Sequence, residues 1–97
     1  MAIVTVFQSP SLTQSKYEES VKRLTNGRNK LESPADWPVP GLLAHVAGQS
    51  PSGFRVMDVW QSEDAFRKFG ETLLPILKSI GVEGQPEIYP SHTFVSA

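Results

Sequence analysis

The sequence predicts a single α+β domain of order β-α-β-β-α-β, with a four-stranded antiparallel sheet and two helices on one of its faces. Three observations predict it. Runs of β-branched and aromatic residues mark four strands. Two longer stretches carry apolar residues at helical spacing. The two middle strands are separated by so little chain that they must form a hairpin. This order is the split βαβ, or ferredoxin-like, plan. The 97 residues fit one such domain, spanning 1–97.

The elements follow in order. Ala2 to Gln8 reads as the first strand. Ser11 and Gln14 have capping-box spacing and predict a helix start. Thr13, Tyr17, Val21 and Leu24 then recur at helical spacing, with Glu18–Lys22 and Glu19–Arg23 as exposed i,i+4 pairs. Asn26-Gly27 is a natural helix stop. Residues 28–40 form a long connection with Pro34, Pro38, Pro40 and a lone Trp37, suited to a lid or a dimer arm. Gly41 to Gly48 is the second strand and Phe54 to Trp60 the third, joined by turn chemistry from Gln49 to Gly53. Ser62 is an N-cap with Glu63 and Asp64 in the first turn. Phe66, Phe69, Leu73, Leu77 and Ile80 form the apolar stripe of that helix, and Pro75 should kink or split it near Leu74. Gly81 ends it. Pro86 to Val95 is the last strand, and Pro90 places it at an edge or bends it.

Composition narrows the function classes. A net charge of −1 supplies no field for nucleic acid or an anionic membrane. The absence of cysteine excludes disulfides, iron–sulfur clusters and thiolate zinc sites. No stretch approaches the ~18 apolar residues of a membrane span, and the apolar start lacks a basic leader, so a cytoplasmic protein is expected. No phosphate-binding glycine loop, nucleophile elbow or dinucleotide fingerprint is present, and no cofactor or metal is expected.

Both faces of the sheet are apolar. Val4 and Val6 point opposite to Ile3 and Phe7, and Met57 and Val59 point opposite to Val56 and Trp60. The helices cover only one face, so a second copy of the chain is expected to cover the other.

The segments GLLAHVAG, FRVMDVWQSEDAF and PEIYPSHTF, above all the Trp60-Gln-Ser62 step leading into Ala65-Phe66, resemble the antibiotic-biosynthesis-monooxygenase-like proteins of the dimeric α+β barrel superfamily. The resemblance spans residues 2–95. It implies two sheets packed face to face across a dimer axis and a cavity between each sheet and its own helices. Relatives include cofactor-free oxygenases of polyketide aromatics, haem-degrading enzymes, and small isomerases or lyases. The haem-degrading branch uses a first-strand Asn, a Trp ending the third strand and a His on the next helix. Trp60 matches, but the first strand ends Phe7-Gln8 and residues 62–80 hold no His, so haem degradation is not expected.

Asp58 is the sharpest chemical candidate, because it shares the Trp60 face and would sit in or near the cavity as a base. Its alternative is a structural, hydrogen-bonded carboxylate, or one wetted at the sheet rim. His45, flanked on its strand face by Leu43 and Ala47, becomes an oriented general base only if the hairpin register brings it to Asp58. A one-residue shift would send it to the dimer side. Trp60, Val56, Phe54, Tyr17, Phe66, Phe69 and His92 are the expected pocket lining. The reading is a homodimer binding a small apolar or aromatic ligand, as a cofactor-free monooxygenase or proton-transfer enzyme. The alternative is a non-catalytic ligand-binding or stress-related module of the same fold.

Overall fold

In the computed structural model, residues 1–25, 27, 32 and 36–95 are described. The elements are β1 (Ile3–Gln8), α1 (Gln14–Leu24), β2 (Leu42–Ser50), β3 (Gly53–Trp60), α2 (Glu63–Ser79) and β4 (Glu87–Pro90). The four strands form one antiparallel sheet of order β2-β3-β1-β4. This is the ferredoxin-like α+β plan. No helix among the described residues is long and apolar enough to cross a membrane.

The register sorts every strand residue onto a face. One row across the sheet runs Pro90–Ile3–Trp60–Leu42, and the next runs Ile88–Thr5–Asp58–His45. These side chains face the helices. Ile3, Leu42 and Trp60 pack with Val21 and Leu24 of α1, Phe69 of α2, and Trp37. A second cluster joins Phe54 to Leu12 and Val82. On the opposite face the rows are Tyr89–Val4–Val59–Ala44 and Glu87–Val6–Met57–Val46. Val46, Met57 and Tyr89 are exposed there.

Several elements differ from expectation for identifiable reasons. The cap of α1 is Thr13, whose side chain accepts from the Lys16 N–H, so Thr13 ends the helix instead of lining its core face. Ser11 bonds Ser9 and the Glu83 backbone, which ties the β1–α1 loop to the α2–β4 loop. A register shift between Leu42 and Ala44 inserts one extra residue, so Leu42 is buried and Leu43 is turned outward, away from the face of His45. The hairpin strands run further than the turn residues suggested, leaving Pro51 and Ser52 as the turn.

Helix α2 is assigned continuously through Pro75. Pro75 and Glu71, whose carbonyl loses its helical donor, both lie on the exposed side, where water can take that donor's place. The helix closes with a Schellman motif. Gly81 has φ +79, its N–H bonds Lys78 O, and the Val82 N–H bonds Leu77 O. Strand β4 is an edge strand that ends at Pro90. Asn26 and Pro34 lie outside the described residues.

Candidate functional site

The hairpin register answers the question raised by a carboxylate on the Trp60 face. His45 pairs directly opposite Asp58, so both side chains project to the helix side. There His45 Nδ1 lies 2.5 Å from Asp58 Oδ1. The other ring nitrogen, Nε2, lies 2.6 Å from the Tyr17 hydroxyl, which α1 presents from above. The three side chains form a continuous hydrogen-bonded chain from sheet to helix. Asp58 is only 6% exposed. A buried carboxylate needs such a partner, because burying one alone is costly.

Aromatic rings hold the imidazole in place. Tyr17 stacks on His45 at 5.9 Å and 14°, and Trp37 lies at 5.1 Å from it. Trp37 also packs on Phe69, which in turn packs on Trp60. Burial, with the negative charge of Asp58 as the second cause, pushes the Tyr17 phenol up from 10.0 to about 12. Tyr17 is therefore a neutral phenol throughout the physiological range.

These groups open onto a cavity of about 420 Å³ between the sheet and the helices. That size falls within the range of small-molecule pockets. Tyr17, His45, Val56, Asp58, Phe66 and Phe69 are all in its wall. The wall is mostly apolar. Thr5, Ser20, Arg67, Glu71 and Gln85 contribute the polar positions outside the Tyr17–His45–Asp58 chain.

Three of the residues expected in the lining are placed elsewhere. Trp60 is fully buried in the core behind Phe69 and Phe66. Phe54 is packed into the Leu12–Val82 cluster. His92 is exposed beyond the end of β4. None of the three belongs to the described wall of the cavity.

Other wall residues escaped the sequence reading, Thr5 and Trp37 among them. Thr5 lies opposite Asp58 on β1 and is buried beside it, a position that only the β1–β3 register reveals. Trp37, expected as a lid or arm, is buried in its own chain as a wall of the cavity. Its isolation in a proline-rich stretch was the only signal. Among the described residues no cluster of His, Cys, Asp and Glu suits a metal ion.

Comparison with known proteins gives one informative result. No family model and no curated protein matches the sequence. Among solved structures the chain is similar to SnoaB, a cofactor-independent oxygenase from Streptomyces nogalater, crystallised as a mutant. The TM-score is 0.57 over 99% of this chain and 96% of that one, at 13% identity. The likeness establishes the fold, and at that level it agrees with the resemblance to antibiotic-biosynthesis-monooxygenase-like proteins.

Proposed function

We propose that this chain, which shares the fold of a cofactor-independent oxygenase, binds a small, flat, largely apolar molecule and abstracts a proton from it. The single observation that carries the reading is the Tyr17–His45–Asp58 chain in the wall of an apolar cavity. His45 is the base, reached through the Tyr17 hydroxyl, and Asp58 orients the imidazole and balances its charge. A substrate proton passes to the Tyr17 oxygen as the Tyr17 proton passes to His45 Nε2. In the oxygenase form of the reaction, the substrate carbanion supplies the electrons to O₂. A methylene becomes a carbonyl, one oxygen atom enters the product, and the other leaves as water with the two methylene hydrogens. No external reductant is required.

The active unit in this reading is a homodimer joined through the outer sheet face. The apolar rows around Val59 and Met57 support it, because Val46, Met57 and Tyr89 are left exposed on that face.

Oxygen uptake with 1,8-dihydroxyanthrone as probe tests the catalytic reading. Enzyme-dependent uptake with quinone formation is expected, falling by at least about a hundredfold in His45→Phe, within the range ascribed to a general base. Binding of the probe without uptake would instead identify a ligand-binding module of this fold.

A further inference from the structure

The hydrogen bonds around His45 also fix what the cavity asks of its ligand, an inference that rests on the small-molecule reading above. A carboxylate oxygen only accepts hydrogen bonds, so at 2.5 Å from Asp58 Oδ1 the His45 Nδ1 is the donor. A neutral imidazole has one ring proton. With that proton on Nδ1, Nε2 offers a lone pair. The Tyr17 hydroxyl, 2.6 Å away, must then donate to Nε2. It has no second proton. Toward the cavity, whose wall it joins, the Tyr17 oxygen therefore presents only lone pairs.

We propose that Tyr17 makes the cavity selective for ligands that donate a hydrogen bond, such as a phenol or an enol hydroxyl, over ligands of the same frame that only accept. Thr5 and Gln85, also in the wall, can each donate or accept and so do not favour an acceptor-only ligand, and the remaining donors near the wall are engaged or buried. The Ser20 hydroxyl donates to the Tyr17 carbonyl at 2.7 Å. The Trp37 indole N–H has no hydrogen-bond partner among the described residues, but its nitrogen is itself buried. Arg67, also in the wall, is paired with Glu63. Burial pushes the Tyr17 phenol up to about 12, so across the working range it is neutral and has a proton to donate to His45.

Two probes separate this from simple apolar binding. 2-Naphthol donates a hydrogen bond, whereas 2-methoxynaphthalene only accepts and is the more apolar of the two. Burial alone ranks the ether first. Calorimetric titration of the purified wild type at pH 8 is expected to rank naphthol first by about fivefold, the scale of one neutral hydrogen bond. Tyr17→Phe keeps the ring packing and removes the acceptor, and is expected to put the ether first. Asp58→Asn no longer dictates which ring nitrogen carries the proton, and is expected to shrink the naphthol preference. Circular dichroism confirms that each variant is folded. Equal affinities in the wild type, or a naphthol preference that survives Tyr17→Phe, would overturn the donor-selectivity inference alone. Failure of both probes to bind the wild type would overturn the small-molecule reading, and this inference with it.

Discussion

Replacing Met57 with Lys tests how the outer sheet face is covered. Met57 sits at the centre of that face, between Val6 on β1 and Val46 on β2. In the single chain it is 38% exposed, so a lysine there can hold its ammonium in water and the fold should survive. Across a two-fold interface the change enters twice, because the same patch serves both subunits. A buried unpaired charge costs several kcal/mol. Even if the flexible stems carry both ammonium groups partway to the rim, about 3 kcal/mol remains, which weakens dimerisation more than a hundredfold. Arg67→Ala is the control. Arg67 pairs with Glu63 on the exposed side of α2, and losing such a pair costs about 0–1 kcal/mol. Sedimentation velocity from 1 to 100 μM is the assay, concentrations chosen on the order of a weak dimer's dissociation constant. The wild type and Arg67→Ala should sediment as dimers and Met57→Lys as a folded monomer. A wild type that is monomeric with a native circular dichroism spectrum would refute the reasoning, as would a Met57→Lys dimer of unchanged affinity.

Two further predictions follow from local geometry. The Tyr17 phenol is raised from 10.0 to about 12, so its contribution to stability is complete below pH 10 and is lost as the pH climbs toward 12, where the unfolded chain releases the proton first. Tyr17→Phe should flatten that part of the alkaline decline in urea midpoint, and an unchanged slope would contradict the assigned burial. Gly41 has φ +105, and an added Cβ would lie 2.6 Å from the Ala65 Cβ, so Gly41→Ala should cost about 1–3 kcal/mol in backbone strain, with the clash added to it. Ala65→Gly in the same chain should recover the clash but not the strain, which a pair of thermal melts can separate.

The fold was legible because its signals are local and mutually consistent. The stripe of α2, the Ser62 cap and the Gly81 stop each act within a turn or two of chain, and each is present in the structure. Where two signals competed locally, the sequence left the outcome open. Ser11 and Thr13 both offered a cap, and Ser11 was drawn into tertiary bonds with Ser9 and Glu83. Pro75 predicted a break, but the exposed side of α2 tolerates one missing bond.

The candidate site was legible in residue type and illegible in register. Asp58 and His45 stood out as titratable groups on otherwise apolar strand faces, yet their meeting depended on which residue of β2 faced which of β3. The bulge at Leu43 shifts part of that strand by one residue, and no local pattern announces it. Tyr17 was visible as a member of a helical stripe, but its bond to His45 spans 28 positions of the chain and exists only once α1 has packed on the sheet. Trp60 misled for a related reason. It shares its strand face with Asp58, but it lies one row further along the sheet, where the core closes over it completely.

The most direct test of the central claim is the proton arrangement on His45 itself. The chain has only two histidines, His45 and His92, so ¹⁵N-labelled protein gives two imidazoles to resolve. Long-range ¹H–¹⁵N correlation spectra should show His45 as the Nδ1–H form, with a slowly exchanging Nδ1 proton bound to Asp58 and an Nε2 that accepts from Tyr17. That slowly exchanging proton should disappear in Asp58→Ala, while His92, exposed in the structure, should be unaffected. A His45 ring found as the Nε2–H form, or one whose tautomers average as freely as those of His92, would contradict the hydrogen-bonded chain on which the proposed chemistry depends.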